Sequence, residues 1–363
     1  KRFGRSLDPD TNGYTSESFE EGTVGLDMTL SLFEGFSRIN QVRFRKMNKE
    51  RSEWELKEKQ NELAYQVTDA YYKLILERKL LDLALEQSRL SERYLKQTEV
   101  FVELGLKSAS DLQEVKARRE GDIYRYQSRG NSSRIALLHL KQLMNIQPGD
   151  TLAILDTITA SQLPPYSVST VETLYAQSIE ILPSIRMIDL KQKAAHKEYA
   201  IAGGAFSPSV FARFTVGSNY YNTAFSARQL RDNIGKYVGV GISFPLLSGL
   251  QRLTNQRKLK LNMYRLKNEE ELEKQQLYTD IEQTLLSLHT GYSEHQQALS
   301  QLDAETLVLK ESERKWEEGL ISVFQLMEAR NRFIAAKAEL VRVRLQIEMM
   351  MKLEKYYRQG TFL

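Results

Sequence analysis

The sequence predicts a mainly α-helical protein with a small β part, built from two copies of a strand, long helix, tight turn and returning helix. Three observations carry this reading. The seven prolines, at 9, 148, 164, 165, 183, 208 and 245, leave two stretches of 138 and 118 residues without one, 10–147 and 246–363. Proline inside a helix costs about 3 kcal/mol, so long helices belong in those stretches. Second, Leu32-Phe33-Glu34-Gly35-Phe36-Ser37-Arg38 aligns with Leu246-Leu247-Ser248-Gly249-Leu250-Gln251-Arg252 at an offset of 214. The same offset, without a gap, superposes Gly105-Leu106-Lys107-Ser108 on Gly319-Leu320-Ile321-Ser322 and matches Leu112, Glu114 and Arg118 to Leu326, Glu328 and Arg332. Gly35 to Gly105 and Gly249 to Gly319 are both 70 residues, so each half repeats one supersecondary unit. Third, three short stretches alternate apolar and polar or small residues with period two, the period of strands.

Residues 1–145 make the first repeat. Residues 1–4 are expected to end a strand partnering 23–30, with the loop 5–22 turned by Asp8-Pro9-Asp10 and Asn12-Gly13. A strand at 23–32 follows, in which Val24, Leu26, Met28 and Leu30 share a face opposite Thr23, Gly25, Asp27 and Thr29. From 36 to 104 there is neither Pro nor Gly, which predicts a helix of roughly 100 Å, returned by a helix over 109–145. Residues 146–170 are a linker containing Pro148-Gly149-Asp150 and Pro164-Pro165. The second repeat, 171–363, reads as a helix over 171–204 with Pro183 near a restart, strands at 208–218 and 237–245, a long helix over 250–317 and a returning helix over 322–357. In the long helix Ile281, Leu285, Leu288, Tyr292, His295, Leu299, Leu302, Thr306 and Leu309 follow the 4-3-4-3 spacing of a coiled-coil seam.

Composition narrows the function. There is no cysteine, hence no disulfide, thiolate nucleophile, thiolate zinc site or iron–sulfur cluster. No phosphate-binding glycine loop, Gly-x-Ser-x-Gly or His-Glu-x-x-His is present, and the four histidines at 139, 196, 289 and 295 are scattered, so neither an enzyme, a metal site nor a cofactor is expected. The balance of 51 basic against 47 acidic side chains is too even and interspersed for nucleic-acid binding. No apolar run reaches the ~18 residues of a spanning helix. Spanning strands remain open. Four strands cannot close a barrel, because about eight are needed and an open edge is intolerable in lipid, so spanning strands require several chains sharing one barrel. The helices, far longer than the ~25 Å apolar band, then form a separate layer in water. The rival reading is a soluble coiled-coil scaffold carrying the hairpins as a side domain. The chain opens Lys1-Arg2-Phe3-Gly4 with no signal peptide, so its true N-terminus, and any targeting signal, is expected upstream.

The junctions Leu-Phe-Glu-Gly and Leu-Leu-Ser-Gly, the two Gly-Leu turns, and Ala205-Phe206-Ser207-Pro208-Ser209-Val210 entering a strand resemble the TolC-type outer-membrane efflux family over essentially the whole chain. The resemblance implies a homotrimer in which each protomer gives four strands to a shared twelve-stranded outer-membrane β-barrel, continued by a twelve-helix periplasmic α-barrel. It implies an exit duct of a Gram-negative bacterium for drug efflux or type I secretion, joined to an inner-membrane transporter by a periplasmic adaptor.

It also implies site residues. The adaptor-docking tips are Gly105, Leu106 and Ser108, and Gly319, Leu320 and Ser322. The periplasmic entrance constriction is formed by Glu328, Gln325 and Asp111, with Gln325 standing where family members carry an acidic residue. The helix preceding the first strand in the family is absent from these residues. At the strand–helix junctions Gly35 and Gly249 turn the chain, and from their position Arg38 and Arg252 are expected either to anchor it at lipid headgroups or to stand solvated. Phe33, Phe36, Tyr220 and Tyr221 are candidates for aromatic girdles, with core packing the competing reading for the first two. Val240 and Ile242 are expected to face lipid and Gly241 the lumen.

Overall fold

In the computed structural model the described residues are 6–7, 12–16, 20–147, 149–155, 163, 169–222, 227–246 and 250–362. They fall into two compact units, Lys1–Arg51 with Ile188–Glu269, and Ser52–Met187 with Glu270–Leu363. Neither unit is a sequence repeat, since each takes residues from both halves.

The first unit is organised by an antiparallel sheet of three strands, β3 (Glu20–Glu34), β4 (Ser209–Asn222) and β5 (Gly235–Ser243), in the order β3-β4-β5. β3 and β4 run past the expected stretches, to Glu20–Glu34 and Asn222, while β5 starts two residues early at Gly235 and stops at Ser243, leaving Phe244 outside. A two-residue ladder, β1 (Ser6–Leu7) with β2 (Tyr14–Thr15), lies in the expected loop 5–22, and the short helix α5 (Ala227–Asp232) sits in the β4–β5 connection. The expected fourth strand at residues 1–4 and the turn at Asp8-Pro9-Asp10 lie outside the described residues.

Three helices meet this sheet's unit: the starts of α1 (Ser37–Glu103) and α6 (Gln251–Glu317), and the end of α4 (Pro183–Gly204). Gln192 donates to the Leu266 carbonyl at 3.3 Å and Lys191 pairs with Glu269, which ties α4 to α6 over the buried Leu266. The Ser37 hydroxyl donates to the Ile201 carbonyl at 3.0 Å, tying α1 to α4.

The second unit holds the rest of α1 and α6 with α2 (Ala109–Leu143), α3 (Val171–Ile181) and α7 (Val323–Gln359). The expected single helix over 171–204 is two. Leu182, preceding proline, is extended at ψ 134°, and Pro183 opens α4 where its missing N–H costs nothing. Three apolar clusters fill the unit. One joins Leu174, Leu182 and Ile185 to Ile281, Leu285 and Leu288 of α6 and to Val343 and Ile347 of α7. A second joins Ala70 and Leu74 to Leu140, with Leu152 and Ile154 of the linker packed on it and the Tyr71 hydroxyl donating to the Leu155 carbonyl at 3.0 Å. Pro148 and Pro164-Pro165 of the same linker lie outside the described residues. The third, around Trp316, lies beside the helix turns.

In the α6 seam Ile281, Leu285, Leu288 and His295 are buried and Tyr292 is half-buried; Ala298 then replaces Leu299 as the buried residue, and Thr306 is exposed. A straight helix drifts about 20° per heptad against a 3.5-residue repeat, which rotates the far end of such a seam outward. A second seam escapes hydrophobic pattern reading. Ala84, Gln87, Ser91, Tyr94 and Thr98 of α1 recur at 3-4-3-4 and all are buried, although three of them are polar. Ser91 donates to Asp122, Gln87 to Asn331 at 3.3 Å, and the buried Arg330 donates to the Gln87 carbonyl at 2.7 Å.

Candidate functional site

The two helix turns are built alike. Leu106 N–H donates to the Phe101 carbonyl at 2.8 Å and Gly105 N–H to the Val102 carbonyl at 3.0 Å; Leu320 and Gly319 donate to Lys315 and Trp316 at 2.8 and 3.0 Å. This paired closure, a Schellman motif, needs a left-handed residue, supplied by Gly105 at φ 72° and Gly319 at φ 77°. A Cβ on either glycine would touch nothing, so the requirement is for conformation and not for space.

Ser108 and Ser322 are the caps of the returning helices. Each hydroxyl accepts from the backbone N–H three residues on, Asp111 at 3.1 Å and Gln325 at 3.3 Å, while the Asp111 and Gln325 side chains accept from the two serine N–H groups at 2.9 and 3.1 Å. Asp111 and Gln325, expected in an entrance constriction, are therefore equivalent members of two capping boxes. Sequence reading missed this, although Ser-x-x-Asp and Ser-x-x-Gln after a Gly turn are its signature. Ser108→Ala and Ser322→Ala are each expected to destabilise their first turn by about 1 kcal/mol, read as faster amide exchange. The pH response separates the two turns. The Ser108 N–H holds the Asp111 carboxyl below its ordinary range, so its contribution is complete above the unfolded carboxylate pKa of about 3.9 and is lost as pH falls through the lower folded value. Gln325 does not titrate, so acid should loosen the start of α2 and leave that of α7 unchanged.

The turns come together, with Lys107 Nζ donating to the Ile321 carbonyl at 3.4 Å. Beneath them Trp316, 1% exposed, packs edge-on against Tyr94 at 5.2 Å between ring centroids, with Phe101, Val115, Val323, Leu326 and Met327 around it. Above this core Leu106 and Leu320 stay 66% and 68% exposed, joined by Leu104 and Phe324, two exposed apolar neighbours that the repeat alignment does not reveal. Glu328 is exposed and pairs with Arg332 at 3.1 Å, which also reaches Glu305 at 3.3 Å, so its charge is shared.

At the strand–helix junction Gly35 and Phe36 are both left-handed, at φ 58° and 62°. A Cβ on Gly35 would lie 2.5 Å from the Gly204 carbonyl oxygen, so here the glycine is needed for space as well. Leu250, equivalent to Phe36, repeats the left-handed turn at φ 61°; Gly249 lies outside the described residues. Arg38 closes on Glu34 through two hydrogen bonds of 3.1 and 3.3 Å, whereas Arg252 is half-buried. Phe33 and Phe36 stack edge-to-face at 5.2 Å, and the side chains of Tyr220 and Tyr221 lie outside the described residues.

The sheet register sorts side chains by face. Leu26, Met28 and Leu30 stand opposite Val216, Phe214 and Ala212. Val210, Ala212 and Phe214 in turn stand opposite Ile242, Val240 and Val238. Side chains opposite one another share a face, so one face is apolar across all three strands except at Lys236, which stands opposite Val216 near the start of β5. It is largely uncovered, with Leu26, Met28, Val238, Val240 and Ile242 all exposed. The other face carries Asp27, Thr29, Arg213, Thr215 and Tyr237, with the Phe211 ring lying over Gly241 and the Tyr237 ring over Gly239. No helix of the described residues is long and apolar enough to cross a membrane.

Comparison with known proteins follows this geometry. The profile of the outer membrane efflux protein family matches residues 3–145 and 174–349. No curated protein matches the chain. Among solved structures, the Campylobacter jejuni CmeC outer membrane channel superposes with a TM-score of 0.81 at 13% identity, covering 94% of this chain and 77% of that one. The Vibrio cholerae outer membrane protein VceC gives 0.78 at 15%, covering 96% and 88%. The open state of the Neisseria gonorrhoeae MtrE outer membrane channel gives 0.73 at 16%, covering 96% and 81%.

Proposed function

Because the chain belongs to the outer membrane efflux protein family, an outer-membrane channel family and not one of enzymes, we propose that it is the exit duct of a tripartite efflux pump or a type I secretion system. In this reading three copies share a twelve-stranded barrel, and their helices continue it as a tunnel through the periplasm. The duct is passive. An inner-membrane transporter delivers substrates, and a periplasmic adaptor docks on the Gly105 and Gly319 turns. Glu328, Gln325 and Asp111 line the entrance, and the latter two also hold the caps of their helices.

The observation that carries the proposal is the sheet's apolar face. Nonpolar side chains from three strands, in register and exposed, are costly in water at roughly 25 cal/mol per Å² and favourable against lipid. A soluble scaffold has no reason to keep them uncovered. Three described strands have two open edges, β3 and β5, and hydrocarbon satisfies no unpaired backbone group. The edges must be closed by strands beyond these three, and copies of the same chain, each with its expected fourth strand, supply the twelve with the same alternation.

The test is mass. Light scattering of the detergent-extracted protein, with detergent subtracted, is expected to give three times the 42.0 kDa chain. A particle of one chain, soluble without detergent, would refute the duct.

A further inference from the structure

The polar face of the sheet carries a detail that the duct reading leaves unused. From Gly25 to Ser31 and across their partners in β4 and β5, the side chains on this face are small, hydroxylated or aromatic, with two charged exceptions among the described residues, Asp27 and Arg213. They are not directly opposite. Asp27 stands opposite Thr215, and Arg213 opposite Thr29. Even so, the Asp27 carboxylate accepts from Arg213 Nη2 at 3.3 Å and from the Thr215 hydroxyl at 2.6 Å. Both charged side chains are more than half exposed, so the pair adds little to stability but lies open to whatever fills the space before this face.

We infer that the Asp27–Arg213 pair determines the ion selectivity of the barrel section by keeping its wall neutral. The inference rests on the reading that this face lines a water-filled lumen. There an unpaired fixed charge acts over a Debye length of about 10 Å at 0.1 M salt, and threefold symmetry turns each one into a ring. Paired, the two rings cancel, and anionic and cationic solutes meet the same wall. Thr215 is a positioning residue: its hydroxyl holds the carboxylate on the diagonal toward Arg213.

The experiment measures zero-current potentials of single trimers in a planar bilayer across a KCl gradient. Asp27→Asn leaves a ring of arginines and should shift the potential toward that of chloride. Arg213→Gln leaves a ring of carboxylates and should shift it toward potassium. The double exchange Asp27→Arg with Arg213→Asp should return the parent value. Arg213→Cys in this cysteine-free chain can be recharged after assembly: a cationic methanethiosulfonate reagent should restore the parent potential and an anionic one should move it further toward potassium. Conducting trimers whose potential is unchanged by both single substitutions overturn the inference and leave the duct standing. If the unmodified chain forms neither trimers nor channels, the duct reading falls and this inference with it.

Discussion

Val240→Arg is expected to abolish insertion of the barrel. Val240 is 71% exposed on the apolar face of β5, opposite Ala212 of β4 and flanked on the same face by Val238 and Ile242. An arginine on the lipid face of a spanning barrel costs about 2–4 kcal/mol near the midplane. In a trimer that cost enters three times, about 6–12 kcal/mol, comparable with the whole stability of an ordinary domain at about 5–15 kcal/mol. The control belongs on the other face. Gly241 serves poorly, because a Cβ there would lie 2.5 Å from the tip of the Phe211 ring. Gly25 is better placed, since a Cβ would meet only the Val216 carbonyl oxygen and the Gly217 Cα, at 3.4 and 3.5 Å. Gly25→Arg should therefore insert far better than Val240→Arg, as read by the fraction of heat-resistant trimer recovered from lipid vesicles. Equal recovery of the two variants would show that the sheet does not span a membrane.

The double variant Leu106→Glu with Leu320→Glu is expected to eliminate export while leaving trimer yield and insertion at parental levels. Neither leucine is needed to reverse the chain, because Gly105 and Gly319 supply the left-handed residues and Ser108 and Ser322 start the returning helices. Neither contributes to the core beneath, where Trp316, Val323 and Leu326 are buried. Their exposed apolar surface gains only by being covered, and four such side chains around adjoining turns make a patch of the kind that partners occupy. Carboxylates there would have to be desolvated on docking, which removes the gain. The readouts are efflux of a reporter compound and cross-linking to the adaptor. Normal export by the double variant would place the docking surface elsewhere.

Much of this protein was legible before folding was considered, and the reason is that its elements are long and local. Proline avoidance and Gly-to-Gly spacing located α1 and α6 to within a residue, because each ends on a glycine closure, at Gly105 and Gly319, and starts just after a left-handed residue, Phe36 and Leu250. Alternation located the side chains of the sheet's apolar face, since period two follows from the strand backbone alone. The Gly-Leu turns were visible for the same reason.

Tertiary structure decided what depends on a second segment. The buried run of Gln87, Ser91 and Thr98 looks solvent-exposed in sequence and is buried only because α2 and α7 bring Asp122, Arg330 and Asn331 to it. That Asp111 and Gln325 cap their helices is decided by the backbone, since their side chains accept from the Ser108 and Ser322 N–H groups. Gly35 could be taken for an ordinary turn residue, yet the Gly204 carbonyl, 169 positions along the chain, leaves no room for a Cβ there. The Asp27–Arg213 pair likewise exists only through the β3–β4 register, which joins residues 186 apart. Periodicity reports the geometry of one segment against itself, whereas pairing of charges, burial of polar groups and close backbone approach are properties of two segments at once.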